Sequence, residues 1–239
     1  MLKTSDNQSA NGRNDGCDIP AEGDRPAAEL VNEVTAIAAA FFTRSRGSHA
    51  WDHTLRVLRL CEKIGVAELA DLQVVQIAAL LHDIGRSDQD DANGNLCHAK
   101  QGARLARPIV ASLPLDEQQK QNILHCISTH RFRGEKVPDT IEARVLFDAD
   151  KLDSIGAIGV ARAFLFAGEV GARLHNPDAR IEKTRPYTAD DTGYREYRIK
   201  LCRIKDRMLT ATGRELAEYR HQFMQEFFQR FLLEYDGKG

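Results

Sequence analysis

Two histidines and two aspartates, separated by long stretches of chain, carry the chemistry that is legible here. They are His53 in SHAWDHTLRV, His82 and Asp83 in AALLHDIGR, and Asp150 in LFDADKLDSIGAIGVARAF. All four are good metal ligands. Each lies in an apolar-patterned segment, where an unpaired charge is costly to bury. A divalent metal is the simplest partner that would offset burying all four together, and a hydrolase is the function this implies.

The elements that must position these residues read as helices. Leu30, Val34, Ile37 and Phe41 recur at helical spacing, as do Trp51, Leu55, Leu58 and Cys61 after a turn at Gly47 and Ser48. The run LQVVQIAALLHDIG is apolar on almost all sides, and Gly85 suits its end. Asp116 with Gln119, and Asp139 with Glu142, resemble capping boxes that open two further helices. The helix carrying Asp150 is expected to continue through Ile155, Ile158 and Val160, and the last one to bury Leu216, Tyr219, Phe223, Phe227 and Phe231. No alternating strand of useful length stands out. Residues 86–95, with Asn93-Gly94, and residues 168–194, with their glycines, prolines and basic residues, are expected to be loops.

Composition narrows the class. The 239 residues carry a formal net charge of −2, which leaves no nucleic-acid footprint on the molecule as a whole. Five scattered cysteines form no CxxC pair, so a disulfide framework or zinc ribbon is not expected and a reducing cytoplasm is. No apolar run reaches the roughly 18 residues of a membrane span. Residues 1–25, rich in Asn, Asp, Gly and Ser, are expected to be a disordered tail, and residues 26–239 a single helical domain.

Each candidate has an ordinary reading beside the chemical one. A lone His-Asp pair is common at helix ends, and neighbours on a helix point about 100° apart. A single buried histidine such as His53 is usually just hydrogen-bonded. Asp148, Asp150 and Asp153 crowd one short apolar stretch, where Asp148 could cap or support and Asp153 could pair with Lys151 or Arg162. His49, four residues before His53, could share its face.

Taken together, the segments HTLRV, ALLHDIG and DADKLD resemble the HD-domain superfamily of metal-dependent phosphohydrolases. With HRFRG, the long Gly/Ala continuation after DADKLD and the aromatic C-terminal helix, the chain is similar to small bacterial HD proteins that include nucleotide pyrophosphatases. The resemblance covers roughly residues 30–235. It implies an all-α HD-domain helical bundle, with His53, His82, Asp83 and Asp150 as ligands. It selects Asp150 over Asp148 and His53 over His49, and leaves Asp83 as the residue that orients the attacking water. The implied cofactor is one divalent transition metal, Mn, Fe, Co, Ni or Zn, which suits a mixed His/carboxylate set. His98 and His130 are candidates for a second metal, which is not favoured, or for phosphate contact. Arg56, Arg86, Arg131, Arg133, Lys136 and Lys151 are candidates for neutralising substrate phosphate, because phosphoryl transfer depends mostly on positioning and charge. The implied substrate is a small phosphorylated molecule, above all a nucleotide. A homodimer stays open. The rival classes are a non-catalytic nucleotide-sensing module and a di-iron oxygenase.

Overall fold

The run LQVVQIAALL forms the helix around which the rest is arranged. The computed structural model describes residues 26–42, 51–91, 97–131, 137–178 and 180–239. The expected tail, His49, the Gly47-Ser48 and Asn93-Gly94 turns, Arg133 and Lys136 lie outside them. The described residues hold α1 (Ala27–Phe41), α2 (Trp51–Ala67), α3 (Leu72–Leu81), α4 (Arg86–Asp91), α5 (His98–Ser112), α6 (Glu117–Thr129), α7 (Ile141–Leu152), α8 (Gly156–Glu169), α9 (Gly193–Ile199) and α10 (Ala211–Tyr235), and no strand. The described residues are all-α, as expected.

α3 buries Val74, Val75, Ile77 and every residue from Ala78 to Leu81. A helix apolar on all sides has no face to give to water, so it sits inside. It packs against α1, α2, α6 and α7. Asp71 caps it, accepting hydrogen bonds from the Gln73 and Val74 amides. The neighbouring helices differ from expectation mainly in rotation. On α2 the buried stripe is His53, Val57, Cys61 and Ile64, while Trp51, Leu55 and Leu58 are half-buried. The imidazole of His53 thus takes a place that apolar counting gives to its neighbours.

The capping box at Asp116 and Gln119 is present. The one expected at Asp139 is not. Thr140 caps α7, its hydroxyl accepting from the Ala143 amide, and Asp139 instead pairs with His125. Glu142 accepts hydrogen bonds from the Asp71 amide at 3.0 Å and the Asn122 side chain at 2.9 Å, tying α7 to α3 and α6. Residues 86–91, expected as loop, form α4. The described residues between 170 and 192 are irregular except for a short 3-10 turn at Ile181–Lys183.

The helix through Asp150 does not continue as expected. α7 ends at Leu152, and α8 starts at Gly156, whose φ of 77° only glycine adopts freely. The break turns Asp153 back toward α2. α10 is rotated as well. It buries Gly213, Ala217, His221, Met224 and Phe228, leaving Tyr219 76% and Phe223 40% exposed. Phe228 stacks on Tyr197 at 4.4 Å, and this contact decides which face turns inward. Small residues at Gly213 and Ala217 let α10 approach α7 closely.

Asp148 anchors that approach. It is fully buried and accepts hydrogen bonds from the Leu209 amide, the Thr210 amide and the Thr210 hydroxyl, at 2.9, 2.8 and 2.7 Å. Asp148→Ala would strand the buried Thr210 donors, with an expected loss of about 3 kcal/mol in urea denaturation. An unshifted midpoint would mean that α10 is held elsewhere.

Candidate metal centre

Four of the predicted residues arrive at one place from three helices. His53 comes from the buried stripe of α2, Asp150 from α7, and His82 and Asp83 from the turn that ends α3. His53 Nε2 lies 3.5 Å from Asp150 Oδ1 and 3.8 Å from Asp83 Oδ2. His82 Nε2 lies 3.9 Å from Asp83 Oδ2. One donor atom each of His53, His82 and Asp83 falls within 4.8 Å of the others. Gly85 lets this turn press on α5. A side-chain carbon there would stand 2.5 Å from the Gly102 amide nitrogen.

The imidazoles are aimed from behind. The Nδ1 atoms of His82 and His130 donate to backbone carbonyls, Ala79 O at 2.7 Å and Ile127 O at 2.6 Å. His53 Nδ1 donates to Asp153 Oδ2 at 2.7 Å. In a neutral ring a donor role at Nδ1 leaves the Nε2 lone pair facing the centre, the arrangement that metal-binding histidines use; in His53 that lone pair is available once the Nε2 proton leaves. Asp153 is itself gripped by Arg56 Nε at 2.6 Å and Arg162 at 2.7 Å. Arg56, expected at the substrate phosphate, also pairs with Asp52 and stands behind His53.

Asp83 faces two ways. Its Oδ2 looks toward His53 and His82, and its Oδ1 toward His98 and His130, at 3.6 and 3.7 Å. The Nε2 atoms of His98 and His130 are 3.2 Å apart. Asp83, His98 and His130 form a second group with donor atoms within 4.8 Å. Asp148, by contrast, spends its acceptors on Leu209 and Thr210, away from this centre.

The electrostatics fit a cation. Burial pulls the His82 pKa down to about 4 and that of His98 to about 3, so both rings are neutral near pH 7. Burial also works against the charge on Asp83 and Asp150. The neighbouring histidines, and for Asp150 Lys151, nonetheless hold both well below the usual carboxylate range. For His53 burial again lowers the pKa, but hydrogen bonds to Asp150 and Asp153 and the charge of Asp83 raise it to about 9. His82 Nε2 is buried without a hydrogen-bond partner. A buried lone pair facing a buried carboxylate is unfavourable unless a cation stands between them. The donor set, imidazole nitrogen and carboxylate oxygen, suits a divalent transition ion.

The centre lies at one end of a cavity of about 700 Å³. Arg86, Arg131, Lys151, Arg162, Arg195 and Lys200 line its walls. Lys151 Nζ reaches Asp150 Oδ2 at 2.6 Å and the His130 carbonyl at 3.2 Å. The wall positions of Arg162, Arg195 and Lys200, and the grip of Asp153 on His53, are beyond what sequence reasoning finds. His53 and Asp153 are a hundred residues apart, whereas Arg162, Arg195 and Lys200 pair with acids only four to nine residues away, and what the sequence does not show is that they face this cavity.

These shifts give the metal-free protein a defined pH profile. His82 and His98, with folded pKa values below 6.5, contribute stability above that value and lose it as pH falls toward 4. His53, with a raised folded value, contributes fully below 6.5 and loses it as pH rises through about 9. Chelator-treated protein should therefore have its highest denaturation midpoint near pH 6.5 and lower ones at pH 4 and pH 9. A midpoint that climbs toward pH 4 would contradict this assignment of charges.

Residues 50–155 match the HD domain family, and the four converging residues all fall inside that stretch. YpgQ of Bacillus subtilis, an uncharacterized protein, is 34% identical over 213 residues, covering 87% of this chain and 94% of YpgQ. The crystal structure of that protein in complex with ADP superposes with a TM-score of 0.67 at 31% identity, over 88% of this chain and 96% of the other. A predicted HD superfamily hydrolase from an uncultured Thermotogales bacterium has a TM-score of 0.62 at 28% identity, over 88% and 99% of the two chains. On motif, fold and likeness over nearly its whole described length, the chain belongs to the HD domain family.

Proposed function

We propose that this protein is a metal-dependent phosphohydrolase that cleaves a phosphoanhydride or phosphoester bond in a small phosphorylated molecule, above all a nucleotide. The observation that carries the reading is the orphaned lone pair of His82 Nε2, fully buried and facing the Asp83 carboxylate at 3.9 Å. In this reading His53, His82, Asp83 and Asp150 hold one divalent transition ion, Mn, Fe, Co, Ni or Zn. Bound there, it supplies Lewis acidity toward the phosphoryl group.

The remaining work falls to the chain's own groups. Asp83 accepts a hydrogen bond from the attacking water and orients it. The water oxygen bonds to phosphorus as the bond to the leaving oxygen breaks, and the proton that the water loses ends on the departing group or in solvent. Lys151 and Arg131 neutralise charge on the phosphate, since both line the cavity next to the acidic centre. His98 and His130, on the other side of Asp83, contact the phosphate or a second ion. Arg56 acts at one remove, holding Asp153 and through it the His53 ring. The nucleotide preference is supported by the ADP complex of YpgQ and by the many cations around one cavity.

Purified protein with Mn²⁺ should release phosphate or pyrophosphate from at least one of a panel of nucleotides. His82→Ala should lose both this turnover and the bound metal. Silence across nucleotides and sugar phosphates, in protein shown to hold its metal, would refute the hydrolase reading. Arg131→Gln should raise KM or lower kcat by roughly ten- to a hundredfold, the worth of a charge-assisted hydrogen bond, with an unchanged denaturation midpoint.

A further inference from the structure

The end of the cavity away from the acidic centre is built differently. Along one face of α8, Arg162 reaches back to Asp153 beside that centre, while Phe166 and Glu169 lie about one and two turns further on. Pro186 and Tyr187 line the same cavity, with the Tyr187 ring against Phe166.

Tyr187 has a φ of 60°, the left-handed region that glycine and asparagine tolerate and bulky residues rarely enter. The conformation is braced. The Tyr187 amide donates to Asp191 Oδ2 at 2.7 Å. Asp191 is buried and accepts from Arg195 at 2.5 Å through its other oxygen. Arg195, also buried, donates to the Thr184 hydroxyl at 2.5 Å and the Thr184 carbonyl at 3.2 Å, across the base of the same turn. A glycine would satisfy this turn with less strain. What a tyrosine adds is a ring, and strain held by buried partners points to use.

The ring stands at the cavity wall. It meets Phe166 edge to face, with centroids 5.6 Å apart and planes at 80°, and the residue remains 75% exposed. An edge-to-face contact with one neighbour leaves most of a ring's surface free to stack on another planar group. Phosphate groups have no use for such a surface and a sugar lays only C–H bonds on it, whereas a planar heteroaromatic ring matches it face to face.

We propose that Tyr187, backed by Phe166 and locked by the Asp191–Arg195 pair, is the platform on which the planar heteroaromatic base of a nucleotide stacks, and so determines specificity. This rests on the nucleotide reading above and deepens it. The phosphates lie toward the acidic centre, the basic wall takes their charge, and the base lies on the tyrosine.

The test compares a non-hydrolysable ATP analogue with ring-free imidotriphosphate, each titrated calorimetrically into Mn²⁺-loaded protein. The wild type should bind the ATP analogue roughly tenfold tighter, the order that base–aromatic stacking supplies. Tyr187→Gly, which suits the left-handed backbone and so does not threaten the fold, should close that gap. Tyr187→Phe should keep it. A wild type that binds both ligands equally, or a gap that survives in Tyr187→Gly, overturns the platform. A ring-dependent gap in protein that hydrolyses no nucleotide leaves the platform standing and removes the hydrolase reading, whereas failure of both ligands to bind removes the two together.

Discussion

A buried cluster of lone pairs and negative charge cannot exist without something positive, and this constraint organises the molecule. His82 is wholly inside, its Nε2 has no hydrogen-bond partner, and the carboxylates of Asp83 and Asp150 stand close by. In an interior of low effective dielectric, such groups repel one another strongly and gain little from distant solvent. Around them the bundle arranges two kinds of compensation. His53 and Lys151 bring positive charge against the carboxylates. Carbonyls and Asp153 keep the ring nitrogens turned so that the shared centre accepts a cation.

One helix shows how finely the roles are divided. Asp148, Asp150 and Asp153 lie on or just after α7. At about 100° per residue, Asp148 and Asp150 point to nearly opposite sides, whereas Asp150 and Asp153 lie about 60° apart. The first therefore meets α10 and the other two meet α2. Their environments follow from that geometry. Burial raises the Asp148 pKa, because the loss of water outweighs the three donors around it and the charge of Arg214. Asp150 and Asp153 are also buried, but each meets a histidine and at least one cationic side chain that hold it ionised. Three identical side chains thus become an anchor for a helix, a candidate ligand and a brace for a ring.

This division also marks what was legible in the sequence. Helix positions were, because a 3.6-residue apolar period survives without any tertiary knowledge. The phase of those helices was less so. On α10 the aromatic row drew the eye to Tyr219 and Phe223, while the core took Ala217, His221 and Met224, where small or flexible groups fit against α7. The break at Gly156 was hidden because SIGAIG keeps its apolar period across the turn. His53, His82, Asp83 and Asp150 could be singled out because polar groups inside apolar patterns stand out, and the family resemblance ordered them. Asp153 behind His53 could not, nor could Arg56 turned toward Asp153, because those pairings span about a hundred residues and exist only once α2 and α7 are side by side.

The stretch that matches the HD domain ends at residue 155, and the cavity does not. Residues from Gly159 to Ile204 supply the wall that faces the acidic centre, including Phe166, Tyr187, Asp191 and Arg195. The two parts are under different physical demands. The centre must hold five or six polar groups to within fractions of an ångström, which favours ligands on packed helices and penalises change. The rest of the wall has only to offer charge and shape, and part of it, Pro186, Tyr187 and Asp191, comes from an irregular segment braced by the buried Asp191–Arg195 pair. On the proposed reading, a change in the stretch Pro186 to Asp191 alters what fits while leaving His53, His82, Asp83 and Asp150 in place. If the centre acts as proposed, chains that share the first part can differ through the second in what they accept, and selectivity is to be sought between residues 156 and 204 rather than in the stretch that matches the family.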